Sequence, residues 1–401
     1  MKRVLRFFIT ILLLFPLTVL AKDKDITNYI KDLADTSSDN YEEVKDSSLA
    51  FDNTIDKNLR YVGKNPNNYI KFNNELWRII GVVKTDDGTF TKIIKDESIG
   101  NYKYSETDTN WTTSNIEKYL NEDYYNALSE EAKSLITKVT WNTGNNGGVS
   151  IKEADAKEFY SYNLTKNTWE GYVGLIYPSD YIYATSDTRK ECLTNNILDK
   201  YTKDSKCTIS NYLTSENKMW TMTTYVDTED NKEIFEVSNE ISHSKNDLEY
   251  SIKPVVFLTN NIMVIEGSGE KSNPYIIKKY EENKVELDID DEKVFTSLLK
   301  SSFGDLANKD IDLNLLINDN DNIIIEDDMI KAIKAGNSEV TVSVDGNIYI
   351  LKVNVNPLSI SVPDTEKNSV RLFMMIVVLL VLVIFELVVY IRQVMKHRRK
   401  A

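Results

Sequence analysis

From Leu372 to Ile391 the chain runs for twenty residues with a single interruption, Glu386, and Arg392, Lys396, Arg398, Arg399 and Lys400 follow at once. No other feature limits the fold as strongly. An α-helix rises about 1.5 Å per residue, so a run of this length matches the roughly 30 Å of hydrocarbon in a bilayer. A buried core helix would need a polar face, and this stretch offers one carboxylate. The basic flank belongs on the cytoplasmic side. The sequence therefore predicts one transmembrane helix over 372–391, a basic cytoplasmic tail over 392–401, and the rest of the chain outside. Glu386 stands less than two turns from Arg392, and two readings of it remain. The carboxylate reaches the inner interface or a basic neighbour, or it contacts another membrane helix.

The other end carries Lys2, Arg3 and Arg6, then Phe7 to Leu20, apolar apart from Thr10, Pro16 and Thr18, and finally Val19-Leu20-Ala21. This is the pattern of a secretory signal peptide over 1–21, cleaved after Ala21. Pro16 breaks the run and leaves it short of a span. No cysteine lies near the cleavage point, so a lipid-modified terminus is excluded. The expected location is the cell membrane, crossed once, with the N-terminus outside and the C-terminus in the cytoplasm. The whole chain carries −14; the leader holds three cations and 371–401 holds six against one anion, which leaves the exposed part at −22. Such a surface repels phosphate backbones, so nucleic acid is not an expected partner. The acidity also serves simply to keep an exported surface soluble. The expected partners are membrane lipid, through the C-terminal helix, and a glycan or protein ligand outside.

Residues 22–50 are polar, with one helical stripe of Ile26, Tyr29, Ile30 and Leu33, and read as a linker with a short helix. An α+β head is expected over 51–277. Within it, Leu76 to Val83 and Phe90 to Ile94 flank Asp86-Asp87-Gly88 as a hairpin. Ser114 and Glu117 form a capping box for a helix bearing Ile116, Tyr119 and Leu120. A second helix is predicted over Ser129 to Val139, with Glu130 and Glu131 at its positive end. Further strands are predicted at Tyr172 to Tyr177 and Pro254 to Leu258. Over 278–356 the alternating residues Val285, Leu287 and Ile289, Val340, Val342 and Val344, and Val353 and Val355 predict an all-β sandwich, with Asp345-Gly346 as a hairpin turn. Val294 to Phe303 fits either a helix or an irregular strand. A stalk over 357–371 leads to the span.

Two histidines are present, and His397 falls in the predicted tail, so any Ser-His-Asp or Cys-His site must use His243, which sits in a polar run that reads as a loop. One imidazole and two widely spaced cysteines do not make a zinc site. Cys192 and Cys207 both lie in the exported part and are expected to pair as a structural disulfide; they are too far apart for a Cys-x-x-Cys redox motif. Asn318 to Asn322 fails the EF-hand template, because Ile324 stands where the turn glycine belongs. No pair can be singled out for glycoside hydrolysis among 62 carboxylates, and no phosphate-binding loop is present. No catalytic residue, cofactor or metal is therefore expected. The 23 tyrosines and 5 tryptophans favour a contact surface, since such side chains bring large rigid area with a polar tip.

Phe51-Asp52-Asn53-Thr54, Asn58 to Gly63, Asn65 to Tyr69 and Glu75 to Val82 resemble the opening of an uncharacterised family of exported bacterial surface proteins. The likeness continues through Trp111, Tyr119-Leu120-Asn121, Tyr124-Tyr125, Trp169-Glu170-Gly171, Val173 to Tyr181, the two cysteines and Lys253 to Leu258, and spans about 51–277. Its closing pattern, a Trp-Thr strand followed by a Pro-Val-Val strand, is similar to modules of the C-type-lectin-like and formylglycine-generating-enzyme superfold. That enzyme's activity is not implied, because it needs a copper-binding cysteine pair and these cysteines look like a loop staple. Ile330 to Gly336 followed by Val340-Thr341-Val342 is similar to bacterial Ig-like domains of group 2, which implies a spacer or adhesion module. Val362-Pro363-Asp364-Thr365-Glu366 resembles a sortase signal of the Leu-Pro-x-Thr-Gly type, with Val362 for leucine and Glu366 for glycine. Wall attachment and simple membrane retention both stay open on that pattern. The resulting expectation is a non-enzymatic binding or adhesion protein of the cell surface, with a carboxylate-only hydrolase or an envelope assembly component as the alternatives.

Overall fold

The computed structural model describes residues 25–34, 47–164, 167–186, 189–311, 314–319, 321–357 and 365–398, so the leader over 1–21 and Val362, Pro363 and Asp364 lie outside the described residues. The architecture is mixed, with helices subordinate to sheets and one long apolar helix near the C-terminus. The chain divides into two compact units: Met1–Lys284 with Thr296–Asp319 and Glu339–Lys352, and Val285–Phe295 with Asn320–Ser338 and Val353–Ala401.

The first unit is organised by the expected hairpin, Glu75–Thr85 against Gly88–Lys95. Every residue from Trp77 to Val83 is buried, as in a strand covered on both faces. One face carries the helix Ile26–Ala34, which buries Ile26, Ile30 and Ala34 and sets the Thr27 hydroxyl 3.1 Å from that of Thr91. On the other face Trp141, Tyr177 and Phe257 gather around the end of Lys92. The sheet runs in the order Val173–Gly174, Val255–Leu258, Gly88–Lys95, Glu75–Thr85, Tyr69–Phe72, and then the strand Tyr275–Asp288, which runs parallel to Tyr69–Phe72 at Tyr275 and Ile276. Past residue 284's side of that strand the same unit adds 347–352, 339–344 and 314–319. Between the neighbouring strands Gly88–Lys95 and Val255–Leu258 the chain makes a long excursion. It carries the short helices and a second, five-stranded sheet of Ile241–Ser244, Lys232–Val237, Met219–Val226, Glu249–Ser251 and Asn101–Lys103.

Three tight hairpins turn on two successive residues in the left-handed region: Asn73 and Asn74, Asp327 and Asp328, Asp345 and Gly346. That conformation matches the twist of the flanking strands and is tolerated by Asn, Asp and Gly. Two expectations need correction, and one segment that the sequence leaves open is resolved. The helix from Ser129 ends at Ser134, and Ile136–Thr137 and Val139–Asn142 are strands, because Ile136, Val139 and Trp141 turn inward on the sheet. The strand expected at Tyr172 to Tyr177 shrinks to Val173–Gly174; Pro178 opens a helix there, and a Cβ at Gly174 would lie 2.7 Å from Met222 Sδ. Val294 to Phe303 resolves into the end of a strand and the helix Phe295–Ser302.

The second unit holds a three-stranded antiparallel sheet of Glu292–Val294, Met329–Ala332 and Ile323–Glu326. It also holds the helix Thr365–Arg398, whose segment Val370–Arg392 has a mean hydropathy of 3.3 and leaves its side chains exposed. At about 25 cal/mol per Å² of apolar surface, water is a poor solvent for such a helix and a bilayer a good one. This segment is consistent with single-pass anchoring.

Gly81 sits where the central strand bulges and where Leu59–Tyr61 pairs antiparallel with it; a Cβ there would lie 2.1 Å from the Leu59 carbonyl oxygen. Backbone cannot retreat as a side chain can, so Gly81→Ala should destabilise the protein by about 1–3 kcal/mol, read as a lower urea midpoint at unchanged slope.

Candidate functional site

Asp52, Arg60, Lys92 and Asp180 form a buried cluster of two anions and two cations. Asp52 follows the strand Leu49–Phe51, and its Oδ1 accepts from the Thr54 hydroxyl at 2.6 Å and from the backbone N–H groups of Thr54 and Asn58. Its Oδ2 accepts from Asn58 Nδ2 at 3.0 Å and Arg60 Nε at 3.2 Å. Arg60 Nη1 reaches Asp180 Oδ1 at 2.6 Å, and Lys92 Nζ reaches Asp180 Oδ2 at 2.5 Å. Asp180 also caps its own helix, accepting from the Tyr177 N–H at 3.0 Å. The Lys92 ammonium lies 4.4 Å from the centre of the Tyr177 ring. Burial pushes Asp180 up, but Lys92 and Arg60 outweigh it and hold the carboxyl below the usual range. Burial lowers Lys92, and Asp180 offsets that only in part.

Both aspartates are thus saturated with donors, and one guanidinium stands between them. A hydrolytic acid pair needs one carboxyl kept protonated, which Asp180 is not. Beside the cluster lies a cleft of about 30 Å³ bounded by Trp141, Asn142, Tyr160, Asn163 and Tyr177. That is room for about one water molecule and far from the volume of a sugar ring.

A second feature is a half-buried aromatic surface. The helix that Ser114 caps, with its side chain accepting from the Glu117 N–H at 3.0 Å, passes through a π-helical turn over Tyr119–Tyr124. Such wide turns recur at functional sites. Tyr119 stacks on Tyr102 with centroids 4.7 Å apart, and Tyr125 stacks on Tyr172 at 4.4 Å and 11°. Trp169 stands edge-on to buried Trp111 at 5.7 Å. Asn121 fixes this arrangement: its Nδ2 donates to the Val173 carbonyl at 2.9 Å, and its Oδ1 accepts from the Tyr172 and Val173 N–H groups. Tyr102, Tyr119, Tyr124, Tyr125, Trp169 and Tyr172 all keep part of their surface in solvent.

Cys192 and Cys207 are joined, with Cα atoms 5.6 Å apart. Glu386 lies on the exposed apolar helix, and Thr365 and Glu366 begin that helix. His243 is not in a loop but in the edge strand Ile241–Ser244, where only alternate residues need be apolar; its ring stacks on Tyr225 at 3.7 Å and its Nδ1 lies 2.5 Å from Glu233 Oε2. Among the described residues no three His, Cys, Asp or Glu side chains gather as a metal site. Asn322 donates to the Asn337 carbonyl at 2.8 Å.

The charge cluster is not among the sites expected from the sequence. The signal was available at Lys92, which shares a strand face with Phe90 and Ile94. Arg60→Leu leaves Asp52 and Asp180 without their shared cation and should cost about 3–5 kcal/mol, measured by urea unfolding. Lys84→Ala, which removes a partner of Asp56 at a side chain 60% exposed, should change stability by less than about 0.5 kcal/mol. Glu236 is buried, its Oε2 has no hydrogen-bond partner among the described residues, and burial raises its pKa against the opposing effect of Lys218. The folded state therefore binds the proton more tightly than the unfolded state, so stability falls as pH rises above 4.5 and levels off beyond the folded pKa. Glu236→Gln should flatten that limb in urea midpoints taken across the same pH range.

A family model described as "Domain of unknown function (DUF6273)" matches residues 88–161, a stretch that contains Lys92, Trp111, Tyr119, Tyr125 and Trp141 but not Arg60, Trp169 or Asp180. No curated protein and no solved structure matches the chain.

Proposed function

We propose that this chain is a membrane-anchored bacterial cell-surface protein whose head binds glycan or protein ligands without catalysing a reaction. The observation that carries the reading is the paired tyrosine surface beside the π-helical turn. Two stacked pairs and Trp169 present rigid, amphipathic area that loses little entropy on binding, and Asn121 holds them in place. The saturated state of Asp52 and Asp180 supports the non-enzymatic half of the reading.

A lectin-like character of the head is supported by the long, loop-rich excursion between two adjacent central strands. An Ig-like spacer over 278–356 is supported by its inward alternation at Leu287, Val340, Val342, Val344, Val353 and Val355. The basic residues after Ile391 support a cytoplasmic C-terminus. Membrane retention is favoured over wall attachment, since Glu366 puts a charged side chain where a sortase signal has glycine.

A hydrolase acting through carboxylates is the second reading, and Glu236, a carboxyl with a raised pKa, is what favours it. Its complete burial weighs against contact with a substrate. An assembly role through Glu386 is the third, supported by the place of that carboxylate in the otherwise apolar run from Leu372 to Ile391.

Glycan and protein arrays probed with the purified protein test the binding reading. A ligand found there should lose about 2 kcal/mol of affinity, some thirtyfold, with Tyr125→Ala or Trp169→Ala, while Lys84→Ala leaves it unchanged. Silence on both arrays would leave the assembly role as the better account.

A further inference from the structure

The buried pair of Lys92 and Asp180 takes no part in ligand binding or in anchoring. We propose that these two side chains become joined by an intramolecular amide bond, from Lys92 Nζ to Asp180 Cγ, once the head has folded.

The geometry holds each part that the condensation requires. Lys92 Nζ lies 2.5 Å from Asp180 Oδ2, and Asp180 Oδ1 is held by Arg60 Nη1 at 2.6 Å. The first proton moves from the ammonium to Oδ2 along the existing hydrogen bond, giving a neutral amine beside a carboxylic acid. At rest Lys92 and Arg60 keep Asp180 ionised, so the neutral pair is reached transiently; burial, which disfavours the Lys92 ammonium, lowers the cost of reaching it. The nitrogen lone pair then adds to Cγ, and the carbonyl electrons move onto Oδ1, where the Arg60 guanidinium is already placed to stabilise the negative charge. A second proton passes from nitrogen to Oδ2, the Cγ–Oδ2 bond breaks, and Oδ2 leaves as water. The third proton stays on the amide nitrogen. Nothing is oxidised or reduced, and no co-reactant is needed.

Three surroundings fit the same reaction. The rings of Trp141, Tyr177 and Phe257 lie within 5.7 Å of Nζ and keep bulk water from the amine. The cleft of about 30 Å³ touches both Lys92 and Asp180 and has room for the single water released. Asp52 explains the fourth charge: when Asp180 becomes a neutral amide, Arg60 keeps a carboxylate at 3.2 Å and is not stranded.

The test is the mass of the full chain isolated from membranes in detergent, denatured and with the disulfide reduced. The proposal requires a mass lower than the mature sequence by about 18 Da, one water. It also requires a branched tryptic peptide joining the two residues, with no cleavage after Lys92. Lys92→Arg should restore the full mass. A wild-type chain of full mass, with Cys192–Cys207 formed before reduction as evidence of folding, overturns the proposal. That reading is taken on the wild-type protein, so it does not depend on a variant that folds.

Discussion

Arg60 is the point through which the head is tied together. Its guanidinium meets an aspartate eight residues before it and another 120 residues after it, and that second aspartate meets a lysine from the strand Gly88–Lys95. Each of these charges would cost several kcal/mol to bury alone, and their mutual attraction only offsets that cost when every lone pair and proton has a partner. The cluster meets this condition at Asp52 and Asp180. Apolar residues of the same volume could serve stability equally well; what they could not do is select one position of the helix Pro178–Tyr183 over the next. The charges act on specificity, fixing the excursion to the sheet at a single place.

The aromatic side chains divide in a way that composition does not disclose. Four of the five tryptophans are buried, and Trp141 and Trp220 spend their indole N–H groups on the carbonyls of Gly171 and Tyr102. Of the 28 tyrosines and tryptophans that suggest a contact surface, 14 are therefore core. Among those that stay partly outside, a backbone irregularity arranges a small group. The wide turn over Tyr119–Tyr124 and the amide of Asn121, which borrows the edge of the strand Val173–Gly174, hold the tyrosines in pairs. Asn121 satisfies backbone groups on a sheet edge that would otherwise invite another strand.

The parts that were legible in the sequence are those in which neighbouring residues decide the outcome. The apolar run before Arg392, the hairpin around Asp86-Asp87-Gly88, the Asp345-Gly346 turn and the Cys192–Cys207 pair all follow from local chemistry. The Asn73-Asn74 and Asp327-Asp328 turns use the same physics with a weaker signal, since Asn and Asp favour the left-handed region less than glycine does. Glu130 and Glu131 suit a helix start, but nothing local announces that Ile136 will be claimed by the sheet. The charge cluster is the extreme case. Lys92 is marked only by its place between Phe90 and Ile94 on a strand face, and Asp52 and Asp180 carry no local mark until the fold brings them to Arg60.

That dependence on distant partners bears on how the head can fold. Closing a longer loop costs little more than closing a shorter one, with about 0.6 kcal/mol for each doubling of length, so the span from Lys92 to Asp180 is not itself the obstacle. The obstacle is desolvation. With the central hairpin formed but Asp180 absent, Lys92 would have to be buried unpaired or kept in water, and either choice leaves Trp141, Tyr177 and Phe257 without their packing around it. A partly folded head therefore gains little, and the sheet and the excursion are driven to form together. Such coupling leaves few half-folded forms with exposed strand edges, which are the forms most prone to associate.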